Sequence, residues 1–390
     1  MTPCCLVSYG RSSSEISSPD SASPFLQYDV DEPPAPTDPW GRRAERALGV
    51  AEARRGRPGM SAALSLLVVG CGSIGQRHIY NLRALGVADL RGFDTSAAQV
   101  EHVRKKHGVT GYATLEAALA DRPTAVLVCT PPYLHLPVAT DAIAAGAHVF
   151  VEKPIATTLE GVDALIAQAR QAGRLLQVGY NLRFEPGLCR IKQMIDEGAI
   201  GRTYVIQAEF GQYLPAWRPS QNYRDNYIVS ANTGGGIILD ASHEIDYVRW
   251  LGGEVSKIYC TARRLGTLDM ATEDTALVVM TMGDGVLGEV HMDCLQRVYT
   301  RRCKVVGSTG TLTWELKTGV RWFSVEAGTW QDFPVQGEVN DMYVEEMRDF
   351  LARLAAPEAS ASIDGREGRR VLELALAAKE SSRCSCEVAV

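Results

Sequence analysis

The sequence predicts an α/β domain with a parallel sheet, followed by an α+β domain with a mostly antiparallel, open sheet. Three observations carry this reading. An apolar run, Leu66-Leu67-Val68-Val69, feeds directly into Gly70-Cys71-Gly72-Ser73-Ile74-Gly75 and then into helical sequence. From 64 to about 180, short apolar runs alternate with helical periods, and such alternation builds a parallel sheet covered by helices on both faces. Beyond about 200 the chain turns to long, β-branched or alternating segments divided by glycines and polar turns, the pattern of antiparallel strands.

In order, strands are expected at 65–70, 89–94, 125–130, 148–152 and 175–179, with helices near 75–86, 96–106, 137–145 and 158–172. Thr157-x-x-Glu160 reads as a capping box for the last helix, and Gly173 as its stop. A helix at about 186–197 leads into strands at 203–213, 255–263, 274–282 and 286–296, with shorter ones near 302–306, 311–315 and 320–325. A single helix beginning near Gly236 interrupts this series, and helices at about 340–354 and 366–380 close the chain. The domains so defined are 63–182, 183–365, and a C-terminal helix and tail at 366–390. The second sheet needs a cover on its free face, so pairing of subunits through it, as a homodimer or homotetramer, is expected.

Residues 1–62 stand apart. The first 60 residues hold eight of the 18 prolines, a serine-rich run and the basic patch Arg54-Arg55-Gly56-Arg57. Such a segment has too little periodic apolar surface to offset its ordering entropy. It reads as a disordered extension or as a start assigned too early.

Composition narrows the function classes. The 390 residues are 46% hydrophobic and 22% charged, as in a soluble globular protein. A net charge of −6 argues against binding nucleic acid or an anionic membrane surface. No apolar stretch approaches the roughly 18 residues that cross a bilayer, and no signal-peptide core opens the chain. The ten cysteines include only two close pairs, Cys4-Cys5 and Cys384-x-Cys386. Neither fits a zinc ligand set or a disulfide framework, so reduced thiols and a cytoplasmic location are expected.

The glycine run has the G-x-G-x-x-G spacing of a dinucleotide-binding turn between strand and helix, which makes the first domain a Rossmann domain. Gly70 permits the tight turn, Gly72 lets a pyrophosphate approach the backbone, and Gly75 lets the helix pack on the strand. Ser73 and Ile74 open that helix, whose N–H groups and dipole favour phosphate. Asp94 ends the next strand, where an acid accepts hydrogen bonds from a ribose and repels a 2′-phosphate. Thr95 and Ser96 add no positive charge, so NAD is expected. NADP is not excluded, Arg77 and Arg91 being the cations that would meet its extra phosphate.

Glu152-Lys153-Pro154 follows a strand at the carboxyl edge of the parallel sheet, where ligands bind in such folds. A lysine there can donate to a substrate oxygen or take its proton, and Pro154 fixes the backbone. A plain surface lysine is the alternative. In Gly234-Gly235-Gly236-Ile237-Ile238-Leu239-Asp240-Ala241-Ser242-His243, Asp240 and His243 are three apart and would share a helical face. The carboxylate would then orient the ring for a proton relay; an N-cap aspartate and a half-buried histidine are the alternative. No cysteine or second histidine lies nearby to complete a metal set, so no metal is expected. Trp217, Arg218 and Tyr223 lie on a long connection, and an aromatic beside an arginine suits a polyhydroxylated ligand. Asn181 and Arg183 follow a strand and would reach the same cleft.

Together these motifs resemble the Gfo/Idh/MocA oxidoreductases, named for glucose–fructose oxidoreductase and inositol dehydrogenase. The resemblance spans about 64–380. It rests on the Gly70 fingerprint, Cys129-Thr130-Pro131-Pro132 with His135, Glu152-Lys153-Pro154, Gly179-Tyr180-Asn181-Leu182-Arg183-Phe184, and the glycine-led helix bearing Asp240 and His243. It implies that Lys153 lies near substrate and nicotinamide and that His243 accepts or relays the proton. It further implies that Thr130, Pro131, Pro132, His135 and Glu152 lie against the cofactor, with Tyr180 beside the substrate. The family's usual acid stands four residues before the histidine, where this chain has Leu239; Asp240 is one residue later and would tune the histidine. The run Gly211-Gln212-Tyr213-Leu214-Pro215-Ala216-Trp217-Arg218-Pro219 is similar to a subgroup tied to sugar and nucleotide-sugar pathways. The implied activity is NAD-dependent oxidation or reduction at a secondary hydroxyl or ketone of a sugar, cyclitol or sugar derivative. The alternatives are an NAD-dependent glycosidase of the same fold and a non-catalytic NAD-binding regulator.

Overall fold

The computed structural model describes residues 64–390 except Ser220, Gln336 and 357–362. The extension expected at 1–62 lies outside the described residues.

Six strands form the first sheet: β1 (Ser65–Val69), β2 (Asp89–Phe93), β3 (Thr110–Tyr112), β4 (Ala125–Val128), β5 (His148–Glu152) and β6 (Leu176–Gly179). Their order is β3-β2-β1-β4-β5-β6 and every neighbouring pair is parallel. The order reverses between β1 and β4, which opens a crevice at their carboxyl ends. Helices α1 (Ser73–Ala84), α2 (Ala97–His107), α3 (Leu115–Ala120), α4 (His135–Ala144) and α5 (Val162–Gln171) connect the strands. The strands β1, β4 and β5 are buried almost throughout, as a sheet covered on both faces requires.

Two local expectations change. Strand β3 and helix α3 lie in a stretch to which the sequence assigned neither. The Thr157/Glu160 capping box does not form: α5 starts at Val162, behind Gly161 at φ +79° and with no side-chain cap.

The second sheet has nine strands among the described residues: β7 (Thr203–Gly211), β8 (Val255–Arg263), β9 (Thr275–Met282), β10 (Leu287–Asp293), β11 (Thr300–Gly307), β12 (Gly310–Glu315), β13 (Gly319–Ser324), β14 (Thr329–Pro334) and β15 (Val388–Ala389). All its pairings are antiparallel except β7 with β10. Burial alternates along the strands, and on β9 Ala276, Val278 and Met280 face the core while Leu277 and Val279 are each 45% exposed. The buried face is covered by α8 (Ser242–Gly252), which follows the short α7 (Ile237–Asp240), and by α10 (Gly365–Cys384). The other face is open. Helix α6 (Pro186–Asp196) packs at the β12–β13 side.

The terminal helices do not respect the boundaries drawn from sequence. In α9 (Asp341–Ala355), Met347, Phe350 and Leu354 share a core with Leu66, Val68, Ile79 and Phe150 of the nucleotide domain. Their spacing puts them on one helical face, and that face covers the first sheet. The start of α10 touches β6, where Gly368 lies against Val178 and Ile363 O accepts from Val178 N at 2.9 Å. Each helix thus ties the second half of the chain to the first.

Cysteine use also differs from expectation at one place. Ser385 ends α10 in the left-handed region at φ +53°, and the turn brings Cys384 and Cys386 together as a disulfide. No helix among the described residues is long and apolar enough to cross a membrane.

Candidate active site

The turn from β1 to α1 forms a cradle made of backbone. Gly70 adopts φ +94°, and a Cβ there would sit 2.6 Å from Cys129 O. A Cβ on Gly75 would lie 2.0 Å from Gly70 O, so only glycine lets α1 seat against the turn. At Gly72 a Cβ would meet nothing within 4 Å; this is the open side. Gly72 caps α1 without a side-chain acceptor, and the helix carries no acid in its first turn. The N–H groups of Ser73 and Ile74 are thus left for an anion. Asp94 accepts from Cys71 N at 2.7 Å with one oxygen and from Ser96 N at 2.8 Å with the other. Each carboxylate oxygen retains acceptor capacity for a ribose hydroxyl. These residues fit NAD. The two cations that might have welcomed NADP are engaged elsewhere: Arg91 pairs with Asp89 at 2.8 Å and Asp121 at 3.0 Å. Arg77 donates to Asn340 at 3.1 Å and stacks on Tyr343. Asp94→Asn should weaken NAD about tenfold or more, since a charge-assisted hydrogen bond is lost, and should narrow the preference over NADP. Titrating both nucleotides checks this.

The β4–α4 loop brings Pro131 and Tyr133 to a cleft of about 280 Å³ that is also lined by Trp217, Arg218, Asn226 and Tyr227. Thr130 Oγ1, in the same loop, is buried without a partner, while Pro132 is packed inside at the start of a 3-10 turn. His135 does not face a ligand. It is buried, with its ring nitrogens 2.7 Å from Pro154 O and 2.8 Å from Thr130 O. It ties the two loops that flank the crevice, and burial lowers its pKa. Both ring nitrogens being engaged, His135 offers a cofactor no hydrogen bond from its side chain and acts through the loops it ties.

At the end of β5, Glu152 lies 2.7 Å from Nε2 of the buried His78. Burial opposes its ionisation, but the His78 contact and the Lys153 charge hold the carboxyl below its usual range. Behind it, Glu346 is buried with both carboxyl oxygens unpartnered. Burial, then the Glu152 charge, pushes the pKa of that group well up. Lys153 Nζ points the other way and donates to the backbone oxygen of Asp240 at 2.5 Å.

The glycine-led helix is two helices. Gly236, at φ +108° against the Glu273 carboxylate, starts the four-residue α7, and Ala241 breaks the helix before α8 begins. Asp240 closes α7 and His243 lies in the first turn of α8. Asp240 Oδ1 accepts instead from the Tyr227 hydroxyl, and His243 Nδ1 is buried with no partner. The expected aspartate–histidine pair is not formed. Burial, then the charges of Lys153 and Arg301, push the His243 ring well below its ordinary value. Tyr180 packs edge-on against this ring at 5.5 Å, and its hydroxyl lies 3.4 Å from Ser242 Oγ.

Arg183 and Trp217, expected to hold substrate, both make internal bonds, and Trp217 also lines the cleft. Arg183 is bound by Asp246 at 2.6 Å and Glu367 at 3.0 Å, nearly out of solvent. Its partners come from α8 and α10, far along the chain. Trp217 donates its indole N–H to Gln212 O at 3.0 Å and packs on Phe210. Asn181 is buried at the head of a 3-10 turn. Arg218 is exposed at the cleft and makes no ion pair among the described residues. The sequence reading missed His78, Tyr227 and Arg301, which pairs with the buried Glu244 at 2.7 Å. Only the spacing of Tyr223 and Tyr227 ahead of the glycines gave a signal for the second of these.

Hydride transfer to a nicotinamide needs a held cofactor and a group that manages the hydroxyl proton, and no protein nucleophile. Fold and site together define a dinucleotide-dependent oxidoreductase. Residues 64–180 match the oxidoreductase family with an NAD-binding Rossmann fold, and residues 189–313 match the GFO/IDH/MocA C-terminal domain. The chain is 28% identical over 332 residues to the myo-inositol 2-dehydrogenase of Thermotoga maritima, covering 80% of this chain and 95% of that protein. It is 30% identical to the inositol 2-dehydrogenase of Burkholderia cenocepacia, over 63% of this chain and 72% of that one. Among solved structures, GenD2 from gentamicin A biosynthesis, crystallised with NAD, superposes with a TM-score of 0.74 at 25% identity, over 86% of this chain and 99% of that chain. This chain belongs to the Gfo/Idh/MocA family: it is an NAD-binding dehydrogenase acting on CH–OH groups.

Proposed function

We propose that the protein transfers a hydride between NAD and a secondary hydroxyl of a sugar, cyclitol or sugar derivative, and that Lys153 and His243 manage the hydroxyl proton. The observation that carries this is the reach of Lys153 from the carboxyl edge of the first sheet to the backbone oxygen of Asp240, three residues before His243. Lys153 is anchored on Asp240 O, and its charge acts on the His243 ring. Bound NAD supplies the hydride acceptor. Gly70, Gly72, Ser73, Ile74, Gly75 and Asp94 hold it, with Thr130, Pro131 and Glu152 at the crevice. A neutral His243 accepts the proton, and the Lys153 ammonium steadies the developing alkoxide. The cleft lined by Tyr133, Arg218 and Tyr227 suits a hydroxylated ring. The inositol dehydrogenase relatives agree with a polyol substrate. Purified protein with NAD and a panel of myo-inositol, scyllo-inositol, levoglucosan and D-glucose should form NADH with at least one member, and His243→Gln should not.

The depressed His243 value fixes a pH dependence. The unfolded chain binds a proton near pH 6.5, whereas the folded chain does so only at lower pH. The catalytic base therefore stays neutral on mild acidification, and the acid limb of kcat/KM should lie below about 6.5. Stability should fall as pH drops through that value, because only the unfolded state takes the proton. Rate and unfolding profiles against pH check both signs.

We further propose that subunits pair through the open face of the second sheet, where Tyr259, Leu277, Val279 and Leu287 are exposed. Exposed apolar side chains paired across β8 and β9, beside the polar Glu289 and His291, suit an interface between subunits. Light scattering should give a homodimer or homotetramer, and Val279→Glu should shift it toward monomer. A cytoplasmic location fits the six free thiols among the described residues, five of which are buried.

A further inference from the structure

Tyr227 reaches the site from the long connection between β7 and α7, and the chain around it is firmly held. Its backbone oxygen accepts from Thr233 Oγ1 at 2.8 Å. The next residue, Ile228, is buried, and its oxygen accepts from Gly236 N at 2.9 Å and Thr272 Oγ1 at 2.6 Å. Gly235 lies against the Tyr227 and Ile228 oxygens, where a Cβ would come within 2.6 Å of both. The phenol is therefore delivered to a fixed place on the cleft wall, and its hydroxyl donates to Asp240 Oδ1.

The consequence for Asp240 is specific. Lys153 Nζ engages the backbone oxygen of Asp240 and not its carboxylate. A carboxylate beside an ammonium pairs with it unless something holds it elsewhere, and the Tyr227 hydroxyl is the group that does so. Among the described residues nothing hydrogen-bonds to Asp240 Oδ2. The phenol has spent its proton on Oδ1, which leaves the Tyr227 oxygen an acceptor. Burial, then the Asp240 charge, pushes the phenol well above the usual tyrosine value, so it remains the donor of this pair. Behind the cleft wall formed by Tyr227, Asp240 thus keeps one unclaimed acceptor, Oδ2, on the residue whose backbone oxygen takes the lysine.

We propose that Tyr227 clamps Asp240 so that its free oxygen accepts the hydrogen bond of a substrate hydroxyl adjacent to the carbinol being oxidised, and that the enzyme thereby selects vicinal diols. Asp240 is then a substrate contact and Tyr227 its positioning residue, with Lys153 left free for the reacting oxygen. This rests on the dehydrogenase reading above.

The test is a double-mutant cycle with Tyr227→Phe, Asp240→Asn and the double variant. The substrates are the panel polyol that the wild type oxidises fastest and its analogue lacking the neighbouring hydroxyl. Wild type should discriminate strongly against the deoxy analogue, because a site built to bind a hydroxyl is left unpaired without it. Tyr227→Phe should lower kcat/KM for the parent polyol about tenfold to a hundredfold and leave KM for NAD unchanged. It should also lose most of the discrimination against the deoxy analogue, which a loosened fold would not do. The double variant should be no worse than Asp240→Asn alone, because the two groups act as one unit. Losses that multiply, or discrimination that survives Tyr227→Phe, would overturn the clamp while the dehydrogenase reading stands. A wild type that forms no NADH from any panel member contradicts that reading itself, and the clamp falls with it.

Discussion

Lys153→Met is expected to lower kcat by about a hundredfold to ten-thousandfold, the range for losing a positioned acid–base group, while NAD binds as before. The side chain follows the end of β5, and its Nζ bond is to Asp240 O, away from the glycine turn. Removing the ammonium takes away a donor to the reacting oxygen and a charge that keeps His243 neutral. Methionine preserves the stem's length and packing. Single-turnover rates with the best panel polyol, together with NAD titration by fluorescence, separate lost chemistry from lost binding. A variant with near wild-type kcat would remove Lys153 from the mechanism.

Arg183→Met is expected to destabilise the fold by roughly 3–5 kcal/mol, the range for stranding one partner of a buried ion pair. Asp246 is almost wholly buried and is held by Arg183 through two hydrogen bonds, at 2.9 and 2.6 Å. Glu367 binds the same guanidinium and also Arg249 at 2.9 Å. The cluster joins the turn after β6 to α8 and α10, so its loss is felt where the two sheets meet. Urea unfolding measures the cost. At low temperature, where the variant is still folded, KM for the polyol should be unchanged. A raised KM with wild-type stability would return Arg183 to the substrate cleft.

Arg183 also shows what sequence reading can and cannot reach. A cation directly after a sheet strand belongs at the ligand-binding edge by position alone. The acid that claims it lies 63 residues further on, and nothing local reveals the pair. The cradle was legible because its information is local: an apolar strand, three glycines at fixed spacing, and an acid at the end of the next strand. Lys153 was legible for the same reason. The capping box failed because Gly161 started the helix later than the polar residues suggested. Strand β3 is three residues with two exposed, too short to carry a period. The α7–α8 break falls at Ala241, and the bond from Tyr227 to Asp240 is a contact across a loop that spacing arguments do not see. Helix α9 had the right face, but the sequence did not say which sheet the face would cover.

The most direct measurement follows the hydride. A panel polyol carrying deuterium at the oxidised carbon is incubated with NAD and the wild-type protein, and the nicotinamide product is analysed by mass spectrometry. One deuterium per molecule of NADH formed, absent with Lys153→Met, is the predicted result. Label that stays on the sugar while a glycosidic bond is cleaved, or NAD that binds and never becomes labelled, would contradict it.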